Sequence, residues 1–247
     1  MRGRLMTGHR RSALITGAAR RVGAYLARRL AALGYALHLH AHTGDLESTA
    51  ADIRREFNVP VSTHRLDLRD ADTVRAWAQT VKSDENPPTL VVNNASRFPG
   101  PHAITDIGPL TEGMFVHLVA ATVLLEALPD AGGHAVNMLD SRLLLLDGER
   151  PGYELSKHAL AHQTLLAAKR LAPKVRVNAI SPGLLLPSPS HGEDELARLV
   201  LRRSPQYRAA CLDDVAAALL FLESATSVTG QVIHVDAGEH LGAVENT

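Results

Sequence analysis

SALITGAARRVGAYLARRLAAL, Ser12–Leu33, is a short apolar run that ends at Thr16-Gly17 and gives way to apolar residues at helical spacing as far as Gly34. It reads as a strand, a glycine-bearing turn and a helix. Gly17 permits a tight turn. Gly23, six residues on, lets the helix start close to the strand and aim its free N–H groups at a phosphate. Two glycines at that spacing say little alone; their place after a first strand gives them meaning. Arg20 and Arg21 stand at the positive end of the helix dipole, a mild conflict that a bound polyanion removes.

The alternation continues outward from this unit. Strands are expected at Tyr35–Ala41, Val61–Leu66, Leu90–Asn93, His134–Leu139, Val175–Ile180 and Gln231–Val235. Helices are expected at Leu46–Phe57, Ala71–Val81, Leu110–Leu128, Pro151–Leu171, Glu193–Arg202 and Leu212–Leu222. Pro87-Pro88, Pro129 and Pro182-Gly183 punctuate them. Strands that alternate with helices of this length imply right-handed crossovers and a parallel sheet covered on both faces, a single doubly wound α/β domain. Residues 12–240 form that domain, between a disordered basic arm (1–11) and a short tail (241–247).

The 247 residues are 45% hydrophobic, enough for one sizeable core, and 26 basic side chains balance 26 acidic ones. Such a chain presents no overall field for nucleic acid or an anionic membrane, which leaves a small-molecule site as the expectation. No apolar run reaches the roughly 18 residues of a membrane span. The lone Cys211 has no disulfide partner, so the cytoplasm is the expected compartment. His38, His40 and His42 alternate on one strand, yet without carboxylate or thiolate partners they read as a hydrogen-bonded or solvent-facing row; no metal site is expected.

In an open parallel sheet the ligand crevice lies at the carboxyl ends of the strands, where their order reverses. The residues at those ends fit a dinucleotide. The second strand ends in His42-Thr43 instead of the acid that would bind an adenosine ribose, and with Arg21 nearby this favours a 2′-phosphate and hence NADP; Asp45 keeps NAD open. Asp67-Leu68 follows the third strand, where a carboxylate can accept from the adenine amino group. Asn93-Asn94-Ala95-Ser96 follows the fourth, where side-chain amides can tie strand ends together. In the long helix Tyr153 and Lys157 stand four residues apart, so phenol and ammonium share a face. A cation that close favours the phenolate and lowers a pKa ordinarily near 10.

With Thr16-Gly17 to Gly23, Asn93-Asn94-Ala95, Tyr153 to Lys157 and Ser181-Pro182-Gly183 in this order, the chain resembles the short-chain dehydrogenase/reductase family over nearly its whole length. The resemblance implies a nicotinamide-dependent oxidoreductase with a Rossmann-type fold, often a homotetramer. It also implies that Tyr153 donates a proton while Lys157 holds the nicotinamide ribose and lowers the tyrosine pKa. Arg21 stands where the family turn usually has glycine, and Asp140, 13 residues before Tyr153, where it usually has serine. Both resemble the pteridine reductase branch, as does Asn94-Ala95-Ser96-Arg97-Phe98, in which the aromatic ring stacks on the pterin. His117 replaces an asparagine that helps hold a relay water in the wider family.

Several expectations follow. NADPH contacts Gly17, Arg20, Arg21, Val22, Gly23, His42, Thr43, Asp67, Leu68, Asn94, Ala95, Ser96, Tyr153, Lys157, Pro182, Gly183 and Leu184. Ser96, Phe98, Asp140 and Tyr153 meet a dihydropterin or dihydrofolate-like substrate. Asp140 orients Tyr153, with Ser141 as the rival for that role, and residues 183–206 form a lid. Reduction of a ketone or acyl-thioester carbonyl, and a non-catalytic NADP-binding regulator, are the alternatives.

Overall fold

The computed structural model describes residues 11–144, 148–187 and 192–242. Seven parallel strands form one sheet: β1 (Ser12–Ile15), β2 (Ala36–Ala41), β3 (Val61–Arg65), β4 (Leu90–Asn93), β5 (Gly133–Met138), β6 (Val175–Pro182) and β7 (Val232–Val235). Their order is β3-β2-β1-β4-β5-β6-β7. The order reverses between β1 and β4, whose register pairs Ala13 with Leu90 and Ile15 with Val92. The helices are α1 (Arg21–Ala32), α2 (Leu46–Phe57), α3 (Ala71–Lys82), α4 (Ile107–Gly113), α5 (Ala120–Val123), α6 (Pro151–Leu171), α7 (Gly192–Arg203) and α8 (Leu212–Ser224).

Period-two alternation in buried strands divides the core. Ala13, Ile15, Leu37, Leu39, Val92 and Ile180 point to α1, α2 and α8, where Leu26, Leu30, Ile53 and Leu219 meet them. Leu14, Val91, Ala135 and Val177 point the other way, against Val74 and Trp77 of α3, Val123 of α5 and Ala167 of α6. Asp45 and Asp70 cap α2 and α3, accepting from the backbone N–H groups of Ser48 and of Asp72 and Thr73. The single helix expected at Leu110–Leu128 differs. It starts at Ile107, widens into a π turn at Met114–Val119 and tightens into a 3₁₀ turn at Leu124–Ala127. Apolar spacing cannot distinguish i→i+4 from i→i+5 bonding, and π turns of this kind favour functional sites. Ile107–Ala127 also reaches the length and hydropathy of a membrane span, mean hydropathy 1.5, which the sequence reading did not allow for. In this fold its residues sit between α3 and α6.

Candidate active site

The first turn is built by close backbone approach. Gly17 has φ +68°, and a Cβ on Gly23 would stand 2.2 Å from the Gly17 carbonyl oxygen. A Cβ on Gly23 would push α1 away from the turn, and one on Gly17 would meet Ala95 Cα at 2.9 Å. Asn94 donates from Nδ2 to the Thr16 and Gly17 carbonyls at 2.9 and 3.2 Å, and Thr16 Oγ1 accepts from the N–H groups of Asn94 and Ala95 at 3.0 and 2.9 Å. β1 and β4 are thus tied at the switch point, as their sequence predicts. Asn93 donates to Asn137 at 2.8 Å and extends the tie to β5. α1 begins at Arg21 with no side-chain cap and no acid in its first turn, so its leading N–H groups are left for an anion. Arg21 has φ +53°, the left-handed region in which glycine is at ease, which accounts physically for glycine being common there. Arg20 is exposed beside it, and Val22 packs on the core.

Arg21 does not serve the end of β2. Its Nη1 donates to the Pro187 carbonyl at 3.0 Å, on the lid side. The cation at the β2 end is Arg65, the last residue of β3, which donates to the carbonyls of His42 and Gly44 at 3.3 and 2.8 Å. The sequence reading missed it because only the sheet register brings β3 beside that loop. Asp45 spends its carboxylate on the α2 cap. His40 Nε2 lies 3.1 Å from the Leu66 carbonyl, and His38 Nε2 lies 2.9 Å from that of Asn86, so the first two members of the histidine row are hydrogen-bonded. Burial holds the His40 imidazole down at about 4. Asp67 stands at the end of β3, its carboxylate gripped by Arg69 and held at about 2; Leu68 is buried behind it.

Tyr153 and Lys157 of α6, Asp140 just beyond β5 and His117 of the π turn converge. Pro151 pre-sets the first turn of α6, and Tyr153, Lys157, Leu160 and Thr164 recur on its buried face at helical spacing. Tyr153 donates to Asp140 Oδ2 at 2.7 Å. Ser141 turns the other way and donates to Glu239 Oε2 at 2.7 Å, so Asp140 is the group that faces the phenol. Lys157 Nζ donates to the Met138 carbonyl at 2.6 Å and lies 5.9 Å from the centre of the Tyr153 ring. Burial brings the ammonium down to about 8. The phenol moves the opposite way from the expected lowering. Burial, followed by the adjacent Asp140 carboxylate, pushes Tyr153 well above 10, because Lys157 is turned to a carbonyl while the carboxylate touches the hydroxyl.

His117, in the π turn, is locked into one tautomer. Its Nε2 accepts from Arg97 N–H at 3.1 Å, so Nδ1 carries the proton and donates to Ser156 Oγ at 2.8 Å. Ser96 Oγ lies 3.1 Å from the same Nε2. Burial and the Lys157 charge drive this imidazole down to about 2, so it is neutral throughout the physiological range. With both nitrogens committed, it positions Ser96 and Ser156 around Tyr153. Phe98 is 50% exposed, and its ring meets Tyr153 in a T-shaped contact at 4.9 Å. The Arg142 and Arg150 guanidinium carbons lie 5.2 and 4.7 Å from its centroid, so the ring is not core.

The segment after β6 is fastened by Glu239, another residue the sequence reading passed over. This carboxylate is 1% exposed, accepts from Leu184 N–H at 3.1 Å as well as from Ser141, and pairs with Arg203 at the end of α7. Gly183 N–H donates to the Val235 carbonyl at 3.1 Å, so Pro182, Gly183 and Leu184 continue β6 into the crevice. The expected lid at 183–206 contains α7, and its residues 188–191 lie outside the described residues, as do 1–10 of the expected arm and 243–247 of the tail.

Residues 17–240 match a family model described as enoyl-(acyl carrier protein) reductase, adh_short_C2. The ketoacyl reductase 2 assigned to the granaticin polyketide synthase of Streptomyces violaceoruber is 31% identical, covering 93% of this chain and 96% of that protein. The dihydromonapterin reductase of Klebsiella pneumoniae subsp. pneumoniae is 30% identical over 94% of this chain and 97% of its own. The FolM alternative dihydrofolate reductase 1 of Brucella canis, solved with NADP, is 32% identical over 96% of both chains, with a TM-score of 0.87. The glycine turn, the Asn94 tie and the Tyr153–Lys157 face thus sit in a chain that belongs to the short-chain dehydrogenase/reductase family.

Proposed function

We propose that this oxidoreductase uses NADPH to reduce the ring of a dihydropterin or dihydrofolate-like substrate. The observation that carries the reading is Asp140 hydrogen-bonded to Tyr153 at 2.7 Å with the half-exposed Phe98 ring against the same tyrosine. NADPH, when bound, supplies a hydride to carbon; the protein supplies orientation and the proton for the ring nitrogen. The uncapped N-terminus of α1, with the Gly17–Gly23 approach, suits a pyrophosphate, and Arg20 adds charge beside it. His42, Thr43 and Arg65 would receive the 2′-phosphate, Asp67 and Leu68 the adenine. Asn94, Ala95, Lys157 and Pro182 to Leu184 would hold the nicotinamide half.

A raised phenol pKa keeps Tyr153 protonated at neutral pH, which is the form a donor needs. After transfer, Lys157 stabilises the phenolate electrostatically, and Asp140, partly exposed and hydrogen-bonded to the hydroxyl, passes back to it a proton taken up from water. Phe98 offers a flat face to a flat ring, as Ser96 offers a hydroxyl to its edge. Relatives named as a dihydromonapterin reductase and an alternative dihydrofolate reductase support this substrate class. The relative named as a ketoacyl reductase supports the carbonyl alternative, since the Tyr153–Lys157 pair serves either reaction.

The enzyme is proposed to act in the cytoplasm as a homo-oligomer, a tetramer. Leu166 on α6 is 62% exposed and lines an apolar groove with Leu118, Val119 and Ala159 that a second copy of the same helices would cover. NADPH and NADH crossed against dihydropterins and simple ketones, followed at 340 nm, tests the reading. Faster turnover of dihydropterins with NADPH, weakened severalfold or more by Phe98→Ala, is the expected result. Ketones outperforming pterins, with Phe98→Ala inert, would transfer the assignment to carbonyl reduction.

A further inference from the structure

Beyond the crevice, β7 and the turn after it place two imidazoles and a carboxylate together in the pattern His234-x-Asp236-x-x-x-His240. One ring nitrogen from each of His234 and His240 and a carboxylate oxygen of Asp236 lie within 4.8 Å of one another. His240 Nδ1 is 2.7 Å and His234 Nδ1 4.0 Å from the same carboxylate oxygen. Tetrahedral zinc, with bonds of about 2.0–2.2 Å to nitrogen and oxygen, holds its donors about 3.3 Å apart. The two distances straddle that value, and modest rotations of the two imidazoles bring the set to it.

Three further features distinguish this cluster from a surface accident. The Asp236 side chain is 2% exposed and is oriented by backbone, its Oδ1 accepting from Gly238 N–H at 3.0 Å and its Oδ2 from His240 N–H at 2.9 Å. Such outer hydrogen bonds are what fix a ligating carboxylate. His234 Nδ1 is buried and has no hydrogen-bond partner among the described residues, a cost that a bond to a cation removes. The His234 and His240 side chains are 26% and 25% exposed, which leaves an approach from solvent and a fourth position for water.

We propose that His234, Asp236 and His240 bind one divalent transition metal of borderline character, Zn2+ being the best match to two nitrogens and one carboxylate. In binding, the cation replaces the proton between His240 and Asp236. The sequence reading expects no metal because no His/Cys cluster has zinc spacing. The ion would brace the turn that carries Glu239, and through it the Gly183–Leu184 base and Ser141. The effect is therefore expected in stability and not in the reaction itself, independently of the substrate assigned above.

Full-length protein is stripped with EDTA, exchanged into chelator-free buffer at neutral pH and titrated with Zn2+ by calorimetry. Co2+ reports the coordination number through its visible absorption. One saturable site per chain, four-coordinate Co2+ bands and a Zn2+-dependent rise in Tm are expected. His234→Ala should weaken binding by about tenfold or more and abolish the bands. His240→Asn, which keeps an amide donor toward Asp236, should do the same if His234→Ala fails to fold by circular dichroism. Absence of saturable binding, or unchanged binding in both variants because zinc sits on other histidines, would overturn the proposal.

Discussion

Acidification should destabilise this protein through imidazoles that it buries uncharged, and His117 makes the effect measurable. Its ordinary value of 6.5 falls to about 2 in the fold because burial, then the Lys157 charge, disfavours the cation. The unfolded chain therefore takes up a proton near pH 6.5 that the folded chain refuses. Stability is full above that pH and declines as pH falls, at 1.36 kcal/mol per unit for each such group. Between pH 7 and 4.5 His117 alone removes about 2.5 kcal/mol. His40, held at about 4, removes a similar amount over the same window. Together they approach the lower end of a domain's total stability, about 5 kcal/mol. His117→Asn keeps a neutral hydrogen-bonding side chain but cannot titrate. Urea unfolding followed by circular dichroism, at one protein concentration and at both pH values, compares the pH-dependent losses, so any fixed cost of the substitution cancels. The variant should lose about 2.5 kcal/mol less than the parent. Equal losses would refute the claim that His117 is neutral and buried.

Gly23→Ala places a methyl group 2.2 Å from the Gly17 carbonyl oxygen, which is backbone and cannot step aside. A loss of about 1–3 kcal/mol in stability and of NADPH binding by fluorescence titration is expected; wild-type affinity would contradict the close approach. Arg65→Leu should weaken NADPH by about 10- to 100-fold, the worth of charge-assisted hydrogen bonds, and leave NADH unchanged. An equal loss for both cofactors would show that Arg65 supports the His42–Gly44 loop and does not read the phosphate.

Local pattern made much of this fold legible. The strand at Leu90–Asn93 and the helices at Leu46–Phe57 and Pro151–Leu171 stand where the sequence pattern places them, with Asp45 capping α2 and Pro151 opening α6. The Asn94 tie and the turn at Gly17 were equally readable, since strand order brings consecutive strand ends into one crevice. What escaped depends on contacts across the chain. Arg65 reaches the His42–Gly44 loop only through the β2–β3 register, and Glu239 meets Ser141 and Leu184 only when the last turn folds back against β6. The direction of the Tyr153 shift was open in the sequence, where Asp140 raises the phenol unless Lys157 outweighs it; the fold decides it by setting the carboxylate closer. The π turn at Met114–Val119 is invisible to periodicity because one extra residue scarcely disturbs an apolar stripe.

Transfer of a deuteride from carbon 4 of labelled NADPH to a dihydropterin, read by mass spectrometry, tests the central claim most directly. The account predicts one label per reduced ring with the wild-type chain and its near disappearance in Tyr153→Phe, which keeps the ring but cannot give the proton. Undiminished label transfer by Tyr153→Phe, or an unlabelled product from the wild-type chain, would contradict it.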